Sequence, residues 1–471
     1  MSHDIRSRMR AEMQLKSVFD TAQEAAYRYA DGIQQRKVFP SPEAITDLAQ
    51  FDEPLPQQSG HADEIVQLLD QYGSPATLAQ TGGRYFGLVN GGAIPAALAV
   101  RWLSDFWDQN TPLYLSSPIA SRLEQVTEGW IRELLGLPEE TVAGFVSGSS
   151  MAIFAGIAAA RFRLFQRQGW DINRQGYHGA PAIRVVASRQ AHGTVTKAIA
   201  LLGFGSDRVE WVDADAEGRI DANKVPELDA TTILLLQAGN VNSGAFDDFE
   251  RLVRKANDAG AWVHVDGAFG LWAAASPKFS ALTQSMVLAD SWSADAHKTL
   301  NTPYDCGIVL CRDRDALVQA LQATGAYITY SDHSENNQRD GMLYTPEMSR
   351  RARIVELWAA LKYLGREGVD ELVYGLHLRA QQFATALADA DFEILNEVVF
   401  NQILVACKDD AITAATIEQI QQDGECWVGG TQWQERPVIR ISVCSWVTSK
   451  ADIERSVSAF INARAVVTGS A

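Results

Sequence analysis

The stretch "SWSADAHKTLNTPYDCG" (residues 291–307) decides how the chain is read. A small-residue, apolar run ends at Asp295, His297 and Lys298 stand side by side, and the apolar segment "CGIVLCR" follows shortly after. A lysine between runs that read as buried costs free energy unless it is paired, neutralised or chemically engaged. Two readings are open from this stretch alone. The stem of Lys298 carries its ammonium out to water, or the amine sits desolvated at a strand end with the lowered pKa that imine formation requires.

Working outward, short apolar and β-branched runs recur from about residue 80 to 315: "AIRVVAS", "VEWVDA", "TTILLLQAG", "AWVHVDGAFG", "SMVLADSWSAD". Helical stretches such as "AIFAGIAAARFRLFQ" and "AHGTVTKAIALLG" lie between them. This alternation predicts an α/β fold with a mostly parallel sheet covered by helices on both faces. Ligands of such sheets gather at the carboxyl ends of the strands. The expected division is a helical N-terminal arm (1–80), a large domain (81–372) and a small C-terminal α/β domain (373–471). Residues 323–347 are polar and irregular, a length that suits a functional loop.

Composition narrows the function classes. Of 471 residues, 46% are hydrophobic and 21% charged, which is globular and not disordered. A formal net charge of −17 argues against nucleic acid or an anionic membrane as partner. Five dispersed cysteines without a C-x-x-C pair suit reduced thiols better than disulfides or zinc. The N-terminus lacks the apolar core of a signal peptide, and no run approaches the ~20 apolar residues of a membrane span. The expectation is a soluble cytoplasmic protein.

Three junctions carry chemistry. In "GFVSGSSMAIFAGIAAAR" (144–161), Ser147, Gly148, Ser149 and Ser150 open a helix whose free N–H groups suit a phosphate, or the serines simply cap it. In "WVHVDGAFG" (262–270), Asp266 ends a strand and shares one face with His264, an arrangement open to a ring nitrogen, a histidine or a metal. No third ligand stands at recognisable spacing, so no metal is expected. The third junction is Lys298 itself. Residues 213–224, "DADAEGRIDANK", imitate a calcium loop, but the twelfth position is Lys224 and the approach is a strand; a polar turn is the reading.

In order along the chain, the serine turn, His192 in "SRQAHGTVTKAIALLG", Asp266 and Lys298 resemble the fold type I enzymes of pyridoxal 5′-phosphate (PLP). The His297-Lys298 pair is similar to that of the group II amino-acid decarboxylases, which include aromatic-L-amino-acid and glutamate decarboxylases. The likeness extends through "RYFGLVNGGAIPAALA", "YLSSPIASRLEQVTEGWIRELLGLP" and "SRRARIVELWAALKYLGREG". It implies a seven-stranded sheet of the PLP-dependent transferase type and PLP as cofactor. Lys298 would hold PLP as an imine, Asp266 would keep the pyridine nitrogen protonated, and His192 and Ala268 would flank the ring. Gly148, Ser149 and Ser150 would cradle the phosphate, with His297 beside it. A loop tyrosine would protonate the carbanion from a neighbouring subunit; Tyr327, Tyr330 and Tyr344 are available, and Tyr330 is taken as the candidate.

The likeness has departures. Asp295 stands where aromatic-amino-acid decarboxylases carry a phosphate-contacting asparagine, and is expected to face away or to accept a backbone N–H. Asn240, Val241 and Asn242 replace threonines, so Asn240 is expected near the ring hydroxyl. Arg440 matches an arginine near the active site, or is a strand arginine in a surface ion pair. Tyr85, Phe86, Trp102 and Trp107 lie in stretches that line the pocket of such enzymes, and aromatic residues there are also ordinary core. The implied function is decarboxylation of an L-amino acid, preferably aromatic, to an amine and CO2 by a homodimer. The alternatives are a carbon–carbon lyase of the sphingosine-phosphate-lyase type, an aldehyde synthase, an aminotransferase, or a catalytically silent binding protein.

Overall fold

The computed structural model describes residues 4–322, 330 and 338–469. Its backbone forms two compact units: Val89–Ala406 with Arg440–Trp446, and Met1–Leu88 with Cys407–Ile439 and Val447–Ala471. The first holds a seven-stranded sheet made of β1 (Val142–Val146), β2 (Arg184–Ser188), β3 (Glu210–Val212), β4 (Thr232–Gln237), β5 (Trp262–Asp266), β6 (Ser291–Asp295) and β7 (Gly307–Cys311). Their spatial order is β1-β7-β6-β5-β4-β2-β3. Six strands run one way, and β7 is antiparallel to both of its neighbours.

Alternate residues of each long strand enter opposite cores, as the pleat demands. Phe145, Leu234, Val263, Val265, Trp292 and Ile308 pack on one face with helices α2 (Pro118–Leu134), α5 (Phe249–Asp258) and α6 (Ile354–Asp389). Val146, Ile233, Leu235, Trp262 and Val309 pack on the other with α3 (Ser149–Arg167) and α4 (Gly193–Leu201). Burial on both faces is why these strands read as unbroken apolar runs. A further helix, α1 (Pro95–Trp107), packs against α6, which is interrupted at Gly365, where φ is 60°.

The second unit contains the predicted N-terminal helices, Ile5–Leu15 and Ser17–Gly32, together with Asp410–Asp423 and Lys450–Thr468. Tyr85–Phe86 pairs in parallel with Trp427–Val428. The buried Arg84 holds this unit together through Glu425 at 2.7 Å and Asp452 at 3.7 Å. Its first 88 residues therefore group with C-terminal segments, across the divisions expected at residues 80 and 372.

Residues 213–224 form the expected polar turn. Asp213 pairs with Lys224 and Arg189, both at 3.1 Å, and Asp215 pairs with Arg219 at 3.0 Å. The end of the expected loop is not irregular, because Gly341–Tyr344 forms a buried 3-10 turn. All five cysteines are buried, and none forms a disulfide. No helix among the described residues is long and apolar enough to cross a membrane.

Candidate active site

Sheet register assembles the site. Asp266 at the end of β5 pairs with Gln237 at the end of β4 and with Ser293 in β6. Because β7 runs backwards, its first residue, Gly307, meets the ends of two neighbours, Val146 and Asp295. The segments leaving this edge carry Gly148 and Ser149 after β1, His192 after β2, Ala268 after β5, and His297 and Lys298 after β6. Gln237, Asp266, Ser293 and Asp295 all lie on the face covered by α3 and α4, set by the two-residue period of the strands.

Asp266 is buried, and burial raises its pKa, opposed first by the charge of Lys298 and then by that of His192. One carboxylate oxygen accepts the Ala268 N–H at 3.2 Å and the Ser293 hydroxyl at 3.4 Å. The buried Gln237 Nε2 beside it has no hydrogen-bond partner among the described residues. His192 caps α4, its Nδ1 accepting the Thr194 N–H at 3.3 Å. Burial of part of the ring lowers its pKa; Asp266 opposes this, while Lys298 and Arg440 reinforce it. Arg440 therefore belongs to this electrostatic cluster.

Lys298 Nζ lies 3.1 Å from Asp295 Oδ2, and His297 Nε2 lies 3.6 Å from the same oxygen. The other oxygen, Oδ1, accepts the Ser149 N–H at 2.6 Å, at the first turn of α3. Asp295 thus does accept a backbone N–H, but it stays in the site and holds the lysine. A Cβ on Gly148 would sit 3.6 Å from the His297 ring, and one on Gly307 would collide with the Gly148 backbone, so the two turns are close-packed.

Asn301 is a central residue that the sequence reading missed. It adopts φ 56°, a left-handed conformation that asparagine tolerates. Its Oδ1 accepts the N–H groups of Gly92 (2.6 Å) and Trp446 (2.9 Å). Its Nδ2 donates to the carbonyls of Lys298 (3.3 Å), Thr299 (2.8 Å) and Cys444 (3.0 Å). Gly91 approaches the Lys298 carbonyl so closely that any side chain would clash. The only sequence signal for this hub is a turn-forming asparagine ahead of "TP".

Other expected site residues lie elsewhere or are already engaged. Asn240 is wholly buried; it donates to the Gly218 carbonyl at 3.3 Å and accepts from Asn242 and Ser243, so its amide builds its own turn. Tyr344 is a core residue whose hydroxyl accepts from Arg314 at 3.1 Å and whose ring lies under Arg339. Tyr330 is partly buried against the α3-side core, and Tyr327 lies outside the described residues. Ser150 is exposed and Ala268 half-buried. Tyr85 and Phe86 are buried in the other unit, and Trp102 and Trp107 are exposed on α1.

The pyridoxal-dependent decarboxylase conserved domain matches residues 46–408. An aromatic-L-amino-acid decarboxylase of Bacillus atrophaeus is 29% identical over 343 residues, 68% of either chain. A phenylacetaldehyde synthase of Arabidopsis thaliana is 24% identical, covering 73% of this chain and 74% of its own. An L-2,4-diaminobutyrate decarboxylase of Acinetobacter baumannii is 23% identical, covering 68% and 64%. The fold superposes on Oryza sativa TDC, solved with PLP and tryptamine, with TM-score 0.87, 21% identity, and coverage of 97% and 98%. The matched domain covers more than half of the sequence and the whole seven-stranded sheet: this chain belongs to the pyridoxal-dependent decarboxylase family.

Proposed function

We propose that the chain decarboxylates an aromatic L-amino acid to the amine and CO2, acting as a cytoplasmic homodimer. The observation that carries the reading is the convergence of a buried carboxylate, Asp266, with Lys298 and His192 at one sheet edge. The residues fit PLP. A buried carboxylate with few hydrogen bonds suits a cationic ring nitrogen, the Lys298 amine suits the aldehyde, and the first turn of α3 suits the phosphate.

Bound PLP supplies a sink for the electron pair left at Cα when the carboxylate departs as CO2. Asp266 would keep positive charge at the ring nitrogen, His192 and Ala268 would flank the ring, and Gly148, Ser149 and Ser150 would receive the phosphate with His297 beside them. Lys298 would hold the cofactor and yield to the substrate amine. Tyr330 is the proposed donor of the proton that replaces the carboxylate on Cα. The aromatic preference rests on the names of the Bacillus and Oryza relatives. The homodimer is supported by α1, which exposes Leu98, Leu103 and Phe106 at 43%, 55% and 63%. The cytoplasmic assignment is supported by five buried cysteines that form no disulfide.

The decisive experiment is an absorption spectrum with added PLP, before and after borohydride, with Lys298→Ala in parallel, followed by CO2 release over a panel of L-amino acids. A visible band bleached by reduction and missing from the variant, with CO2 released fastest from aromatic substrates, is expected. No band in the wild type overturns the reading. A second reading, aldehyde formation, is favoured by the phenylacetaldehyde synthase likeness and by the removal of Tyr344 from the candidate donors. Aldehyde formation needs dioxygen as a two-electron oxidant, so assaying aldehyde, ammonia and hydrogen peroxide against amine in aerobic reactions separates the two, with Tyr330→Phe expected to shift the ratio toward aldehyde.

A further inference from the structure

Besides Asp266, Asp295 places a second carboxylate at this edge, beside the first turn of α3. It is 1% exposed, and its carboxylate already makes the contact that a phosphate oxygen would make at the first turn of α3, accepting the Ser149 N–H at 2.6 Å. Its second oxygen holds the Lys298 ammonium at 3.1 Å, with His297 Nε2 at 3.6 Å. Trp272 Nε1 donates to the Asp295 backbone carbonyl at 2.9 Å, so the strand end beneath the carboxylate is fixed. Fields at this depth are weakly screened, and a fixed anion beside a phosphate dianion opposes its binding.

We propose that Asp295 is a positioning residue that acts as a built-in anion. It seats Lys298 against the first turn of α3, and a phosphate monoester binds only by competing with this carboxylate for the Ser149 N–H. The proposal rests on the PLP reading. It implies that the site holds its cofactor less tightly than its geometry allows, the difference being set by one internal charge. It also implies that pyridoxal, which shares the aldehyde and ring but lacks the phosphate, does not feel the competition.

The test compares wild type with Asp295→Asn, which keeps the shape and the acceptor for Ser149 while removing the charge. Asp295→Ser, which removes the charge and leaves a shorter hydroxyl, is the second variant should the first fold poorly. Dissociation constants are measured calorimetrically for inorganic phosphate, PLP and pyridoxal. Both variants are expected to bind phosphate and PLP about tenfold tighter, with pyridoxal changed less than about twofold. Equal changes for PLP and pyridoxal, or phosphate binding that is unchanged or weaker, overturn the proposal, since a merely structural role moves both aldehydes together. A wild type that binds phosphate but forms no borohydride-sensitive band with PLP rejects the cofactor reading, while the phosphate comparison still judges Asp295.

Discussion

The backbone N–H of Cys306 donates to Nδ1 of His297 at 3.0 Å, so the neutral imidazole carries its proton on Nε2. That proton points toward Asp295. Burial lowers the pKa of His297, and Tyr304 stacks on its ring with centroids 4.2 Å apart. His297→Ala leaves the buried Cys306 N–H without an acceptor, a loss of about 1–3 kcal/mol. Asparagine places an oxygen at the Nδ1 position, so His297→Asn is expected to recover more than half of that loss in urea unfolding. Equal destabilisation by the two would show that the ring packs without needing this bond.

Asn301→Ala removes five hydrogen bonds at a buried left-handed residue. The expected cost is about 3–5 kcal/mol, from several buried groups each left without a partner. Asn301→Asp keeps both acceptors but turns a buried carboxylate oxygen toward three carbonyls, so it is expected to cost at least as much. The visible band with PLP is expected to appear more slowly in both variants, because the Lys298 carbonyl loses its anchor. Wild-type stability in Asn301→Ala would remove the hub role.

His264 is buried with Nδ1 on the Ser291 hydroxyl at 2.8 Å, and burial pushes its pKa down to about 3. Unfolded, it titrates near its ordinary value of 6.5. A depressed folded pKa contributes stability above pH 6.5 that is lost as pH falls toward 3. Between pH 7 and pH 5 the loss is about 2 kcal/mol. Asp247, which burial pushes up to about 7, acts in the opposite sense over this range. His264→Gln is therefore expected to be less acid-sensitive than wild type by about that amount, in denaturant titrations at the two pH values. Parallel pH profiles would refute the assignment.

Glu124 and Arg350 form an ion pair at 2.7 Å with both side chains 2% exposed, and Arg339 adds a contact to Glu124 at 3.2 Å. Glu124→Ala strands a buried guanidinium and is expected to cost about 3–5 kcal/mol. Glu124→Leu combined with Arg350→Met is expected to cost less than half as much, since Arg339 keeps Glu128 at 2.7 Å. Thermal melts of the three proteins decide it; a double variant as unstable as the single one would contradict the desolvation argument.

The sheet was legible because its strands are buried on both faces and so appear as continuous apolar runs. His192, Asp266 and Lys298 stood out because each lies at or shortly after the end of such a run. The reversed direction of β7 was not, since "GIVLC" is equally apolar read either way. Asn301 was missed because its partners lie about two hundred residues earlier and about one hundred and forty-five later. Asn240 and Tyr344 were placed by likeness to other enzymes, and here local hydrogen bonds hold them. Asp295 was expected either to face away or to take a backbone N–H; it does the latter, and its grip on Lys298 depends on a side-chain path that sequence spacing does not fix.

The bonds from Asn301 to Cys444 and Trp446 also set a schedule for biosynthesis. A ribosome delivers the seven strands long before it delivers residues 444–446, and its exit tunnel conceals the most recent stretch of chain. The nascent polypeptide therefore carries its lysine turn with two of the five Asn301 bonds unmade until residues 444–446 emerge. A product cut short before Cys444 keeps every residue of the sheet without two of the five bonds that hold its lysine turn.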